Sequence, residues 1–411
     1  MNYSKLRTVD KLDVNSKIVF LRLDLNVPVI NGSITSYKRI NEALPTINYL
    51  VKNNAKIVIL SHFGRPKTKE DVLSKKFSLE VVYNAIKKLL NKSVKNFTFV
   101  KESRGSILEG EIAKLKNKEI LLLENTRFND IDLESGQLIN LESNCDYELS
   151  KYWASLCDCF VNDAFGAAHR KHASTFGIGK FNKNNAIGLL MKKELKTLSN
   201  VVKNPRVHYL VIFGGAKVSD KIKAVNAVIK KASKVIISGG MAYTFVAAQG
   251  FDVGKSMVEH SMIDVAKKLM KKYPNKLCIS SDFMCARKFE NDEPIYKTKE
   301  DGLGDLMGLD IGKNSINSFN EVIKSANTIL WNGPMGVTEF SNYANGTNQI
   351  CKAIAMRTKA GAFTVIGGGD SAAAAEKLEK EDSFSFISTG GGASLRLIEG
   401  SKLEGIASIK H

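Results

Sequence analysis

The sequence predicts an α/β protein built as two doubly wound parallel-sheet (Rossmann-like) domains joined by an interdomain helix and hinge. Short apolar runs rich in Val, Ile, Leu and Phe recur along the 411 residues without polar alternation, the pattern of strands buried on both faces. Helix-period stretches at 78–90, 219–231 and 261–271 lie between such runs, and strand–helix alternation builds parallel sheets. The residues that follow the runs also change character halfway, from charged side chains to glycines.

In the first half, run 18–23 brings Arg22, Asp24 and Asn26, and run 57–60 leads to His62 and Arg65. Run 120–123 leads to Glu124, Asn125 and Arg127, and run 159–161 to Asn162, Asp163, His169, Arg170 and His172. Carboxyl ends of strands are where open parallel sheets hold their ligands. Arg22, Arg39, Arg65, Arg127 and Arg170 therefore fall where guanidinium forks can converge on a small, multiply charged anion. Any one of them alone reads better as a surface ion pair.

Residues 188–203 form one amphipathic helix, with Leu189, Leu195, Leu198 and Val202 on its apolar stripe and Asn204-Pro205 closing it. It serves as the spacer 188–204 between an N-terminal domain, 1–187, and a C-terminal domain that starts at 205.

The second-half runs, 209–213, 235–237, 277–279, 328–331, 363–366 and 384–387, mostly end in glycine. The loops are Gly214-Gly215-Ala216-Lys217, Gly239-Gly240, Asn332-Gly333-Pro334, Gly367-Gly368-Gly369-Asp370-Ser371 and Thr389-Gly390-Gly391-Gly392. Glycine between a strand and a helix lets backbone N–H groups converge on a phosphate at the helix N-terminus, although any single such glycine can be a tight turn. Lys217 and Lys221 supply cations for phosphates and Asp370 a carboxylate for magnesium, so the set together suits a metal–nucleotide. No G-x-x-x-x-G-K-[ST] is present, which sets aside P-loop enzymes, and no G-x-G-x-x-G follows a strand, which weakens a nicotinamide dehydrogenase.

Sixty Lys and Arg against 42 Asp and Glu give a net charge of +18, which favours anionic partners without choosing among them. The lysines are scattered in short pairs, as on solvated helix faces. Six cysteines without a C-x-x-C pair indicate neither a disulfide scaffold nor a zinc site, and no signal peptide or membrane span is expected.

The motifs Arg22-Leu23-Asp24-Leu25-Asn26-Val27-Pro28, Ser61-His62-Phe63-Gly64-Arg65-Pro66, Glu124-Asn125-Thr126-Arg127-Phe128, Asn162-Asp163-Ala164-Phe165-Gly166, Gly214-Gly215-Ala216-Lys217-Val218-Ser219-Asp220-Lys221 and Trp331-Asn332-Gly333-Pro334 with Glu339 resemble, in order, those of phosphoglycerate kinases. Gly367 to Ser371 and Ser388 to Gly392 complete the likeness, which spans about residues 5–406. The resemblance implies a cytoplasmic, monomeric glycolytic enzyme that moves a phosphoryl group reversibly between 1,3-bisphosphoglycerate and MgADP, giving 3-phosphoglycerate and MgATP, with hinge closure. It implies that Arg22, Asp24, Asn26, Arg39, His62, Arg65, Arg127 and Arg170 hold the glycerate. Gly215, Ala216, Lys217, Lys221, Gly308, Asn332, Glu339, Gly368, Gly369, Asp370 and Ser371 are implied to hold the nucleotide, with Asp370 toward Mg2+ and Glu339 on the ribose. Arg39 and Lys217 are the implied catalytic pair.

By the same likeness the C-terminal domain runs 205–388, and 389–411 returns to the N-terminal domain. Leu25, Phe63, Ser371 and Glu404 depart from the common family residues; the first two exchanges are expected to be absorbed by packing, and Ser371 keeps a hydroxyl. No membrane and no specific nucleic acid are expected as partners. The alternative is a basic anion- or nucleic-acid-binding protein on the same fold.

Overall fold

The computed structural model describes residues 3–378 and 381–411. The chain divides into two compact units: Met1–Lys196 with Lys402–His411, and Thr197–Ser401. The boundary falls inside the helix Leu189–Lys203, predicted as 188–203. The second unit keeps 389–401, including the helix Gly392–Ile398. The return to the first unit therefore starts at Lys402, later than the expected 389: the Gly405 amide donates to the Ala168 carbonyl at 2.8 Å and the Lys410 amide to Asn185 Oδ1 at 2.9 Å.

The first unit's sheet is made of β1 (Ile18–Arg22), β4 (Lys56–Leu60), β5 (Asn96–Val100), β6 (Glu119–Leu123), β7 (Cys159–Asn162) and β8 (Asn185–Ile187). A small hairpin, β2 (Val29–Ile30) with β3 (Ser33–Ile34), stands apart from it. The order is β5-β6-β4-β1-β7-β8, all pairs parallel, so the chain reverses direction across the sheet at β1/β7. Val19, Leu21, Ile57, Ile59, Ile120 and Leu122 pack against Ile40, Ile47 and Leu50 of the helix Lys38–Lys52 and Val82 and Ile86 of the helix Glu80–Leu89. Each such buried side chain contributes about 1.5–3 kcal/mol.

The second unit repeats the plan. Its large sheet holds β9 (Tyr209–Phe213), β10 (Lys234–Ile237), β11 (Leu277–Ile279), β15 (Thr328–Asn332), β16 (Phe363–Gly367) and β17 (Phe386–Ile387), in the order β11-β10-β9-β15-β16-β17. Between β11 and β15 the chain builds an antiparallel sheet of β12 (Asp282–Ala286), β13 (Ile295–Thr298) and β14 (Met307–Ile311), which the sequence reading did not separate. Leu210, Ile212, Ile329, Trp331 and Ile366 meet Phe319, Ile323, Ile350 and Ile354 from the helices Lys313–Ser325 and Asn345–Lys359.

Register fixes both sites. Arg22 pairs with Leu60 on one side and Asn162 on the other, so the loops after β1, β4 and β7 start at one level. Asn332 pairs with Phe213 and Gly367, which aligns the loops after β9, β15 and β16. Both levels lie at the reversal point of a doubly wound sheet, where such folds bind ligands.

Candidate functional site

In the first unit, Arg39 sits in the first turn of the helix Lys38–Lys52 and donates through Nη1 to Asp24 Oδ1 at 3.1 Å and to the Asn26 carbonyl at 2.8 Å. Asn26 Oδ1 accepts the Gly64 amide at 2.9 Å, and Arg127 donates to the Gly64 carbonyl. Asn125 pins the same loop: its Oδ1 accepts the Phe63 and Arg127 amides, each at 3.1 Å, and its Nδ2 donates to the Phe63 carbonyl at 2.6 Å. The expected residues Asp24, Asn26, Arg39 and Arg127 are thus tied into one network, and His62 stands beside it with Nδ1 3.2 Å from Arg22 Nη2 and 3.9 Å from Asp24 Oδ1. Arg65 is exposed, and Arg170 is half-buried with Nε 3.1 Å from His169 Nε2.

The electrostatics of this cluster are unbalanced. Burial, then Arg170 and Arg22, brings the Arg127 guanidinium down to about 10, and its buried Nε has no partner. Burial and the nearby Arg65 also lower Arg170. Burial, followed by Arg22 and Arg127, takes His172 down to about 3, and His62 is likewise driven well below its ordinary value. Guanidiniums that depress one another in a partly dry cleft are relieved by an anion. Arg22 differs from its expected place as a ligand contact: it is wholly buried and each of its three nitrogens already has a protein partner.

Sequence reasoning missed Glu142. It is wholly buried beside Arg22, and burial pushes its carboxyl up while Arg22 and Ser174 pull it back. Glu142 sits in a turn far from any strand end, so nothing in the local pattern marks it.

In the second unit, Gly214 and Gly333 face each other across the β9/β15 reversal. A Cβ on Gly214 would stand 1.9 Å from the Pro334 carbonyl oxygen, and Gly333 has φ +103° with room for no side chain beside Lys221 Nζ. Lys221 donates to the Asn332 carbonyl at 2.9 Å; burial lowers its ammonium to about 8 against the opposing pull of Asp370 and Asp220. Asn332 Nδ2 is buried without a partner next to Gly367 and Gly368. Ser371 donates to the Gly367 carbonyl at 2.6 Å and accepts the Gly333 amide at 3.2 Å, so its hydroxyl ties two of the glycine loops together.

Lys217 is exposed and immediately precedes the helix Val218–Val228. Its own side chain does not cap that helix; Glu259 does, accepting the Ser219 amide at 3.0 Å and the Ser219 hydroxyl at 2.6 Å. Gly215 and Ala216 lie in the loop before it, and Gly240 opens the next helix, Gly240–Ala248. Gly308 is in β14, its amide on Ser256 Oγ at 2.9 Å. The exposed Glu339 follows Val337, whose amide bonds the Leu309 carbonyl at 2.9 Å, so Gly308 and the Glu339 turn are neighbours. Gly368 precedes the helix Gly369–Leu378, whose first turn carries Asp370.

Among the described residues no group of three or more His, Cys, Asp and Glu could hold a metal ion. A lone carboxylate at Asp370 fits magnesium that keeps phosphate and water as its main ligands. Leu25 and Phe63 are both buried, and Glu404 makes an exposed ion pair with Lys402 at 3.5 Å. No described helix is long and apolar enough to cross a membrane.

Arginines gathered at the strand ends of one parallel sheet and glycine loops with two lysines at those of another fit a phosphotransferase. The sequence profile described as phosphoglycerate kinase matches residues 9–401. The chain is 49% identical over 404 residues to the phosphoglycerate kinase of Listeria monocytogenes serotype 4b, and 48% identical to that of Enterococcus faecalis, covering 98% of each chain in both cases. Among solved structures it is similar to phosphoglycerate kinase from Coxiella burnetii, with TM-score 0.81 and 34% identity, and from Pyrococcus horikoshii OT3, with TM-score 0.80 and 30% identity. Each structural match covers 98% of both chains. The chain belongs to the phosphoglycerate kinase family. It is a kinase whose phosphoryl acceptor is a carboxyl group, and the reading as a basic nucleic-acid-binding protein is not favoured.

Proposed function

We propose that the first unit binds 3-phosphoglycerate or 1,3-bisphosphoglycerate and the second binds MgADP or MgATP, with the residue roles set out below. The observation that carries the reading is the arginine cluster, in which Glu142 and Asp24 only partly offset the burial and neighbouring guanidiniums that hold Arg127 and Arg170 below their ordinary values. A phosphorylated carboxylic acid supplies the missing negative charge at both of its ends.

Asp24 and Asn26 orient Arg39, Arg127 and the Gly64 loop, while Arg65 and Arg170 add charge at the rim. In the nucleotide crevice, Lys221 and the amides of Ala216, Gly368 and Gly369 face the phosphates, the Gly214 and Gly215 amides being held by the Asn332 and Pro334 carbonyls. Asn332 and Ser371 fix the crevice floor, and Gly308 and Glu339 face the nucleoside. Asp370 would hold the magnesium, which supplies charge neutralisation on the β- and γ-phosphoryl oxygens.

The acceptor carboxylate is ionised near neutral pH at an ordinary pKa of about 4, so transfer needs no general base. What remains is alignment and stabilisation of charge on the moving phosphoryl group, the work of Arg39 and Lys217. Donor and acceptor are held by separate units, so the proposal includes a closing motion that brings them together. It also includes a cytoplasmic monomer of 45.2 kDa, checked by sedimentation.

The deciding experiment is turnover of 3-phosphoglycerate with MgATP, coupled to NADH oxidation through glyceraldehyde-phosphate dehydrogenase. The expected kcat is on the order of 100 per second or above. Arg39→Ala and Lys217→Ala should each lower it by about 100-fold or more. A folded wild type without turnover would refute the proposal.

A further inference from the structure

Arg22 is the centre of a buried chain of hydrogen bonds that the transfer reaction does not itself require. Its Nε donates to Ser174 Oγ at 2.8 Å, its Nη1 donates to the Leu23 carbonyl, and its Nη2 lies 3.2 Å from His62 Nδ1. A guanidinium has donors only and keeps its proton near neutral pH, so the His62 nitrogen facing it must present a lone pair. The ring proton of a neutral His62 then resides on Nε2. The Asp24 carboxylate, 3.9 Å from the same Nδ1, is too distant to take a proton from it by hydrogen bond.

The chain continues behind Arg22. Ser174 Oγ donates to Glu142 Oε1 at 2.5 Å and the Ser174 amide donates to Oε2 at 2.9 Å, while Thr126 Oγ1 donates to Oε1 at 3.4 Å. Glu142 is wholly buried and stands as the counter-charge that keeps a wholly buried Arg22 in place.

We propose that Glu142, Ser174 and Arg22 form a positioning chain that fixes His62 in its Nε2–H tautomer, so that His62 meets the bound acid as a neutral hydrogen-bond donor. This rests on the reading of the first unit as the acid-binding unit. Arg22 from β1, Arg127 from the turn Thr126–Asp130, and Arg170 and His172 from the segment after β7 all act on His62, with the Asp24 carboxylate 3.9 Å from its Nδ1. Burial and these cations oppose an imidazolium, so the neutral ring persists well into acid. The chain gives the site a donor that does not switch with pH.

The test is a long-range 1H–15N spectrum of the full chain labelled at histidine, without substrate, between about pH 5.5 and 8.5. The chain has 6 histidines, and the His62 signals are those lost in His62→Gln. The expected result is a single Nε2–H pattern that does not titrate. An Nδ1–H pattern, or an imidazolium forming near the ordinary value of about 6.5, overturns the proposal.

Ser174→Ala and Glu142→Gln should then give mixed tautomers and raise KM for 3-phosphoglycerate roughly five- to tenfold, the worth of one misplaced hydrogen bond. KM for MgATP should stay within about twofold. A pure Nε2–H pattern in both variants, or KM values that rise together for both substrates, assigns the chain a structural role and overturns the positioning one. If Glu142→Gln fails to fold, Ser174→Ala and the wild-type spectrum still decide. A pure Nε2–H spectrum in an enzyme without turnover refutes the functional reading, and with it the clause about the bound acid.

Discussion

Lys221 places its ammonium against the backbone carbonyl of Asn332, Nζ to O 2.9 Å, where burial brings it down to about 8. The shift makes Lys221 partly neutral in the free protein just above neutral pH. Nucleotide phosphates favour the charged form, so binding raises its pKa and draws in a proton. Calorimetric titration of MgADP at about pH 8.5, in buffers of different ionisation enthalpy, should show proton uptake that vanishes in Lys221→Met and shrinks at about pH 6.5. Uptake equal in both proteins would place the nucleotide elsewhere.

Asn332 offers a way to separate binding from folding. Its Nδ2 is buried without a partner, so removing it costs little stability, because nothing is left unpaired that was paired before. Asn332→Ala should raise KM for the nucleotide by roughly tenfold, the value of a hydrogen bond to a charged acceptor. Its thermal midpoint should stay near that of the wild type. A large fall in the midpoint with an unchanged KM would show that the amide serves the fold alone.

Gly333 tests how tightly the crevice is built. Its φ of +103° suits glycine, and a Cβ would lie 2.5 Å from both the Gly214 carbonyl oxygen and Lys221 Nζ. Gly333→Ala should cost about 1–3 kcal/mol from the backbone conformation, with more from the contacts. Because the clash falls on Lys221, nucleotide binding should weaken even in conditions where the variant is folded. Chemical denaturation and MgADP titration of the same preparation measure the two effects, and unaltered binding would refute the assigned crevice.

Much of this was legible because an open parallel sheet places its chemistry at strand ends. The loops after β1, β4, β6 and β7 announce themselves by charge, those after β9, β15 and β16 by glycine. The edge strands were harder: Asn96–Val100 mixes exposed and buried positions, and Asn185–Ile187 is three residues long. The β12–β14 sheet is antiparallel and its strands are interrupted by Asp282, Lys297, Thr298 and Asp310, so it lacks the continuous apolar signature. Glu142 and Glu259 were invisible for another reason. Each acts across a long sequence separation, Glu142 on Ser174 and Glu259 on Ser219, and side-chain partners at such distances leave no local pattern. Arg22 was legible as a strand-end arginine, but only the packing shows that it points into the protein.

Asp163 adds one separable contribution to the pH dependence of the first unit, beside those of His62, His172 and Glu142. It is wholly buried at the end of β7, where Oδ1 accepts the Met191 amide at 2.8 Å and Oδ2 accepts the Thr46 hydroxyl at 2.5 Å. Burial outweighs these bonds and raises the carboxyl from 3.8 to about 6. At this group the folded protein thus holds a proton that the unfolded chain has released, so the contribution of Asp163 to stability falls as pH rises from about 4 to 6 and its loss is complete above that window. The full penalty is about 3 kcal/mol. In Asp163→Asn the remaining carbonyl can still accept the Met191 amide, and the new NH2 can donate to Thr46 once its hydroxyl rotates. The variant should therefore gain on the wild type between about pH 4 and pH 8, by up to 3 kcal/mol. Asp310, raised to about 7 in the second unit, is common to both proteins and cancels in the difference. Urea unfolding of the two proteins at both pH values gives that difference directly, and a difference that is constant, or that favours the wild type more at pH 8, would show that Asp163 is ionised in the folded state throughout.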